Sequence, residues 1–154
     1  MSHREPPCDL PTAHRWFSAS FFNAAWDWME RSPRSPEDDE RMISLCHASL
    51  CHWRERDDCR RVNLSVGYWQ AARVYTLAGR TSEARHYAEL CLNHSLEEGP
   101  FYLGYAHEAL ARAAQLAGND DLCRQHVAEA RRLATQIEDS DARAALEADL
   151  TSLS

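Results

Sequence analysis

Apolar side chains recur at intervals of three and four residues along most of the chain, a pattern typical of helices that bury one face. In the first such segment this spacing relates Phe22, Ala25, Trp26 and Met29. No segment alternates between apolar and polar residues for long enough to indicate a β-strand. We therefore predict an all-α protein of about seven helices.

Capping and turn residues indicate where these helices begin and end. Ser35 can cap a helix whose first turn holds Pro36 and two acidic residues, and acids favour the positive end of a helix. Asn63 can cap the next helix, while Gly79 and Gly118 can end later ones. The short turns require antiparallel neighbours. The predicted helices cover about residues 16–29, 37–56, 63–78, 82–97, 100–117, 120–137 and 141–150.

Two segments of the chain resemble each other. Tyr68–Leu92 and His107–Arg131 each contain a Leu-Ala-Gly turn, and 39 residues separate equivalent positions. Repetition at such a period is typical of helical repeat proteins. A plain helical bundle with accidental similarity is the alternative.

These two segments resemble the tetratricopeptide repeat family. The family has small residues where the two helices of a unit cross closely, and this chain has small residues at the matching positions. The resemblance implies antiparallel helix pairs stacked as a short right-handed superhelix, with the first helix of each pair along a concave groove. The matching small residues are Ala72, Ala84 and Cys91 in the first unit and Ala111, Cys123 and Ala130 in the second.

The domain organisation follows from this resemblance. We expect a flexible leader over residues 1–14, which is polar and rich in proline, and a single helical domain over 15–154. The domain would contain a divergent pair at 16–57, repeat units at about 63–97 and 100–137, and a capping helix at 141–150. Parts of the chain also resemble a group of bacterial proteins, from which no activity carries over. That resemblance centres on His47–Trp53, Gly67–Tyr75 and Tyr105–Ala113.

The register of the repeats places six mostly polar side chains on the wall of the groove. Spacings of three and four residues put each set of three on one helical face. Two guanidinium groups beside an aromatic ring would suit an acidic peptide or a carboxylate ligand. The structural alternative is that Glu108 pairs with Arg73 or Arg112 and fixes adjacent helices. The candidates are Trp69, Arg73 and Thr76 from the third helix and Glu108, Arg112 and Gln115 from the fifth.

Histidines are concentrated in the second helix, at His47 and His52. They lie about 140° apart around a helix, which makes them a poor metal-binding pair. We expect both to form buried hydrogen bonds, with Asn63 or Gln70 as partners, and we predict no metal site and no cofactor. The alternative is a ligand- or metal-binding sensor with a pocket around His47, His52, Trp69 and Arg73.

Charge and composition exclude several classes of function. The net charge of −7 disfavours binding to a phosphate backbone, so we expect no nucleic-acid partner. No segment has the roughly 20 apolar residues of a membrane span. We interpret the six cysteines as reduced thiols of a cytoplasmic protein.

We therefore predict a non-enzymatic interaction or scaffold module that binds a protein or peptide partner in a polar groove. No glycine-rich phosphate loop occurs, and a solenoid of helices offers few backbone N–H groups to stabilise an oxyanion. The aromatic first helix also predicts a symmetric homodimer, because exposed apolar patches mark association surfaces.

Overall fold

A computed structural model describes residues 8–153 of the chain, and these residues form seven α-helices with no strand among them. The prediction of an all-α protein with seven helices is confirmed. The helices are α1 Leu10–Met29, α2 Pro36–Arg54, α3 Arg61–Leu77, α4 Thr81–Ser95, α5 Pro100–Leu116, α6 Asp120–Ala134 and α7 Ser140–Thr151.

The first helix begins earlier than the sequence pattern predicts. The Asp9 carboxylate accepts a hydrogen bond of 3.0 Å from the backbone N–H of Thr12, and Pro11 lies in the first turn. Because this cap satisfies a free N–H of the first turn, the helix extends back to Leu10. The expected flexible leader over 1–14 is therefore wrong for residues 10–14, and residues 1–7 lie outside the described part.

The start of α2 has a reciprocal cap, whereas the start of α3 has a single side-chain hydrogen bond. Ser35 caps α2 as predicted, and the Asp38 carboxylate accepts a hydrogen bond from the Ser35 backbone N–H at 2.9 Å. Asn63 does not cap α3. It lies in the first turn, where its side-chain oxygen accepts from the backbone N–H of Arg60 at 2.9 Å.

Sequential helices pack as the pairs α1–α2, α3–α4 and α5–α6. The odd-numbered helices also contact one another in sequence, from α1 through α3 and α5 to α7. Within residues 8–153, the backbones of α2, α4 and α6 do not approach one another, although the His47 ring of α2 packs against Tyr87 of α4 with centroids 5.4 Å apart. The odd-numbered helices thus form one continuous layer, which we call the odd-helix face. The handedness of the stack and the tetratricopeptide resemblance stay predictions.

Small residues allow the close approach of neighbouring helices. All six small residues that the repeat comparison selects are buried. Gly104 on α5 lies under α7, and a Cβ atom there would be 2.7 Å from Cδ2 of Leu146. Glycine at this position therefore lets the last helix pack directly on α5.

The first helix leaves part of its aromatic surface exposed. Trp16 has 68% of its surface accessible, while Phe17 stacks on Phe21 with ring centroids 5.1 Å apart. The homodimer through this helix stays a prediction. None of the helices within residues 8–153 combines the length and the apolar character that a membrane span requires.

The buried small residues predict a stability difference between two alanines of α6. Ala130 has no exposed surface, whereas Ala128 is exposed. We expect Ala130→Leu to lower the free energy of unfolding by about 1–3 kcal/mol, because the larger side chain overpacks the boundary with α5. Urea denaturation followed by circular dichroism measures this. Ala128→Leu is the matched control, and an equal effect in both variants would contradict the prediction.

Candidate functional site

A cavity of about 310 Å³ opens on the odd-helix face, and aromatic side chains line most of it. Four odd-numbered helices contribute to its walls, and one side chain of α4 reaches its floor. We call this cavity the aromatic pocket. Its lining residues are Phe22, Trp26, Ser65, Val66, Trp69, Cys91, Phe101, Tyr102, Tyr105 and Asp149.

The rings of the aromatic pocket stand at different angles to one another. The centroids of Trp26 and Trp69 are 5.5 Å apart, with a tilt of 33° between their planes. Tyr105 is 5.7 Å from Trp69 and nearly perpendicular to it, at 86°. Phe101 packs against Tyr105 at 5.1 Å. These edge-to-face contacts are favourable ring geometries, so the walls support one another.

The carboxylate of Glu108 joins α3 to α5 beside the aromatic pocket. Glu108 is only 1% exposed. The indole N–H of Trp69 donates to its Oε2 at 2.9 Å, and Arg112 forms an ion pair with its Oε1. A buried carboxylate with both a hydrogen bond and an ionic partner is satisfied. The predicted pairing of Glu108 with Arg112 is therefore present, but it lies within α5, and Trp69 supplies the contact of Glu108 with the adjacent helix.

Arg112 also connects α5 to the last helix. Its guanidinium donates to the backbone carbonyl of Asp149 at 3.3 Å and lies 3.9 Å from the Asp149 carboxylate. The Tyr105 hydroxyl donates to the same carboxylate at 3.1 Å. Burial raises the pKa of Tyr105, and the charge of Asp149 raises it further. Tyr105 therefore stays protonated and acts as the donor.

The other three groove candidates have separate surroundings. Arg73 is half-buried; burial lowers its pKa, with the charge of Arg112 as the next cause. The Thr76 hydroxyl donates to the Ala72 carbonyl of its own helix at 2.8 Å. Gln115 is exposed and borders a different cavity beside α6. The structure thus brings together Trp69, Glu108 and Arg112, and it does not bring Thr76 and Gln115 to them.

Polar side chains form the floor of the aromatic pocket. The Ser65 and Ser95 hydroxyl oxygens are 2.7 Å apart, and the Ser95 hydroxyl donates to the carbonyl of Cys91 at 2.8 Å. The Cys91 sulfur lies 3.9 Å from each hydroxyl oxygen. Burial raises the pKa of the Cys91 thiol to about 11, so this group is an uncharged thiol at neutral pH.

The two histidines of α2 face different helices. Nε2 of His47 is 2.8 Å from the Tyr75 hydroxyl, and burial lowers the pKa of this histidine. Nδ1 of His52 is 2.9 Å from Nδ1 of His14 on α1. The predicted partners Asn63 and Gln70 are therefore wrong. Because the two histidines are five residues apart on α2, they point to different neighbouring helices, and each has a partner other than the predicted ones.

The side chains of Gln70 and Asn63 form hydrogen bonds with the backbone of other residues. The Gln70 amide donates to the carbonyl of Phe22 on α1 at 2.9 Å, and its buried Oε1 has no partner within residues 8–153. Asn63 accepts from Arg60, as described above. The pocket expected around His47, His52, Trp69 and Arg73 has no basis in this geometry, because His47 packs toward Tyr75 and His52 toward α1.

A second histidine pair joins α5 to α6. Nδ1 of His107 is 3.0 Å from Nδ1 of His126, which repeats the arrangement of His14 and His52 between α1 and α2. Burial lowers the pKa of both His107 and His126, and the charge of His126 lowers that of His107 further. Within residues 8–153, no group of three or more His, Cys, Asp or Glu side chains could hold a metal ion.

No protein-family model matches the chain, and neither a curated protein nor a solved structure matches it. The resemblance to tetratricopeptide repeats therefore stays a prediction, and the site must be interpreted from its own chemistry.

Sequence reasoning missed most of the aromatic pocket. Phe101 and Tyr105 lie four residues apart at the start of α5, which places them on one helical face, so the sequence contained a signal for this wall. The sequence pattern indicates Trp26 only as part of the apolar stripe of α1. Asp149 carried no signal, because only the packing of α7 brings it to α5.

The buried ion pair predicts a large effect at Arg112. We expect Arg112→Met to lower the free energy of unfolding by about 3–5 kcal/mol, because it leaves the Glu108 carboxylate buried without its ionic partner. Urea denaturation measures this loss. Adding Glu108→Gln to the same chain should recover part of it, because no charge is then buried.

The control for this prediction is Arg124→Met. Arg124 pairs with Asp121 on the exposed surface of α6, and exposed pairs contribute about 0–1 kcal/mol. If Arg112→Met lowers the free energy of unfolding no more than Arg124→Met does, the ion pair does not stabilise the buried carboxylate of Glu108.

The histidine pair between α5 and α6 predicts a pH dependence of stability. Because the pKa values of His107 and His126 are lowered in the folded protein, the unfolded chain binds more protons below about pH 6.5. We therefore expect the free energy of unfolding to fall as the pH decreases from about 6.5 toward the folded pKa values. The neighbouring charges of Glu129 and Arg132 oppose each other in this effect on His107.

Denaturation at a series of pH values, for the wild type and for His126→Asn, tests this origin. The variant should lose less stability between pH 7 and pH 5 than the wild type does. His86→Asn, at an exposed position of α4, should follow the wild-type curve. Identical curves for all three proteins would assign the acid sensitivity to other groups.

Proposed function

We propose that the protein is a non-enzymatic interaction module, which binds a partner protein or peptide on the odd-helix face and accommodates one bulky side group of it in the aromatic pocket. The observation that carries this proposal is the pocket itself, with a volume of about 310 Å³. Ligand sites begin at about 300 Å³ and combine mainly apolar walls with a few polar groups.

The walls of the aromatic pocket are held in place before any ligand arrives. The hydrogen bond from Trp69 to Glu108 fixes one wall, and the hydrogen bond from Tyr105 to Asp149 fixes another. A preformed site loses less conformational entropy on binding. The same rigidity supports recognition of a side group of defined shape.

The state of the buried thiols supports a non-enzymatic role. Burial raises the pKa of Cys46 to about 12 and that of Cys91 to about 11, whereas a nucleophilic cysteine requires a lowered pKa. Nε2 of His47, which the sequence places one helical turn from Cys51, is already within hydrogen-bond distance of Tyr75.

The groove differs in character from the polar groove that the sequence predicts. Arg112 is occupied by Glu108 and Asp149, so it is not free for an acidic ligand. Arg73 makes no ion pair within residues 8–153, and it is half-buried close to these two acids. In this proposal Arg73 contacts an acidic group of the partner outside the pocket.

The remaining proposals concern assembly and location. A homodimer through α1 is supported by the exposed Trp16. A cytoplasmic location is supported by the uncharged, unpaired thiols of Cys46 and Cys91. The sensor alternative is not proposed further, because His47 and His52 face different neighbours.

Selection of peptides from a random display library on the full-length protein tests the proposed function. Peptides that bind the odd-helix face should lose at least about tenfold in affinity for Tyr102→Ala, because a bulky side chain that lines the pocket is lost. Arg73→Ala should weaken those peptides that carry an acidic residue. Circular dichroism should show that both variants remain folded.

The matched control is Leu96→Ala, since Leu96 is exposed and lies outside the aromatic pocket. Its affinity for the selected peptides should equal that of the wild type. Peptides that bind Tyr102→Ala as tightly as the wild type, but lose affinity for Trp16→Ala, would place the interaction surface on α1 and refute the proposal.

A further inference from the structure

Several polar groups of the aromatic pocket already donate their protons in hydrogen bonds within the protein. The indole N–H of Trp69 donates to Glu108 at 2.9 Å, and the hydroxyl of Tyr105 donates to Asp149 at 3.1 Å. An indole has only one N–H, and a phenol has only one O–H. Neither group therefore offers a proton to a ligand in the pocket.

The Ser65 hydroxyl, on the floor of the pocket, also uses its proton in a hydrogen bond within the protein. The Ser95 hydroxyl has one proton and donates it to the carbonyl of Cys91. The contact of 2.7 Å between the two serine oxygens therefore requires Ser65 to be the donor. The proton of Ser65 points to Ser95. The oxygen of Ser65, which lines the pocket, has two lone pairs, and the Cys91 thiol at 3.9 Å can use no more than one of them.

The rim of the pocket adds a negative charge. Asp149 lines the pocket, and 45% of its side chain is exposed, so its carboxylate oxygens can accept further hydrogen bonds. The hydroxyl of Tyr102 can act as a donor or as an acceptor. Among the residues that line the pocket, none is basic.

From this arrangement we propose that the aromatic pocket binds an alkylammonium cation, which is the chemical class shared by a lysine-type side chain and a small organic amine. This inference rests on the proposed function of the same pocket. Cations are attracted to the faces of Trp, Tyr and Phe rings, and the acceptors Ser65 and Asp149 favour positive charge or N–H donors. A carboxylate ligand would meet mainly lone pairs there.

The surrounding charges limit the affinity without reversing its sign. Arg112 lies 3.9 Å from the Asp149 carboxylate and pairs with Glu108, so these three groups together carry a net charge of only about −1. Arg73 adds a positive charge nearby but does not line the pocket. The net charge of −7 for the whole chain attracts cations. Binding should therefore weaken as the salt concentration rises.

Three probes of nearly the same shape test the charge preference. They are choline, its neutral carbon analogue 3,3-dimethyl-1-butanol, and the anion 3,3-dimethylbutanoate. Titration into the full-length ¹⁵N-labelled protein at low salt, followed by NMR, gives each dissociation constant. We expect choline to bind at least about fivefold more tightly than the alcohol, because only choline gains the cation–π attraction. The indole signal of Trp69 should shift on binding.

Two variants of α7 separate the role of Asp149 from a general charge effect. Asp149→Asn should weaken choline binding at least about threefold and leave the alcohol unchanged, because it removes the charge at the rim. Glu147→Gln removes the same charge from an exposed position on the same helix, and it should leave both affinities unchanged. Equal effects of the two variants would overturn the assignment of Asp149.

A comparison of peptides with free choline distinguishes the two sources of the cation. A peptide with one trimethyllysine is compared with the same peptide carrying norleucine and with free choline. Tighter binding of the trimethyllysine peptide than of choline assigns the cation to a partner side chain. Tighter binding of choline assigns it to a small amine, and both results support the cation site.

The outcomes separate this inference from the proposed function. If the alcohol binds as tightly as choline, the pocket recognises apolar shape alone, so the cation inference fails while the interaction pocket remains. If 3,3-dimethylbutanoate binds most tightly, the inference is also overturned. If no probe and no peptide shifts the indole signal of Trp69, the inference and the proposed use of the pocket both fail.

Discussion

The carboxylate of Glu108 lies buried between α3 and α5, and its surroundings determine much of the site. A buried charge is tolerated only when hydrogen bonds and an opposite charge compensate for its lost hydration. Trp69 supplies the hydrogen bond and Arg112 supplies the charge. The hydrogen bond fixes Trp69 as a wall of the aromatic pocket. Arg112 also donates a hydrogen bond to the backbone carbonyl of Asp149 on α7. One buried acid thus orders three helices around the pocket.

The distribution of side-chain sizes explains why a pocket forms on this face. Small residues fill the crossings between paired helices, and Gly104 allows α7 to lie directly on α5. The larger rings, including Trp26, Trp69 and Tyr105, then surround a space that they do not fill. Aromatic rings supply contact area with few rotatable bonds, which suits a binding surface. The structural core and the candidate site therefore use different classes of residue.

The histidines show how neighbours in sequence become separated in space. His47 packs toward α3 and α4, while His52 joins α2 to α1 through His14. The equivalent pairing of His107 and His126 joins α5 to α6. The two His–His contacts each link the helices of one pair, whereas His47 links α2 to the next pair. The polar chemistry of the candidate site comes from hydroxyl groups and carboxylates instead.

The sequence alone determined the helices and part of the site, because those features depend on local spacing. Helix caps act within three residues, so Ser35 located the start of α2 correctly, while Asp9 could have located α1. The 39-residue offset placed Trp69 and Glu108 at equivalent positions, and these two side chains form a hydrogen bond. Only the tertiary structure decided that Arg112 is occupied, that Asp149 reaches the rim, and that Ser65 presents lone pairs to the pocket. These properties depend on which groups from distant helices satisfy one another, and no local pattern in the chain encodes that pairing.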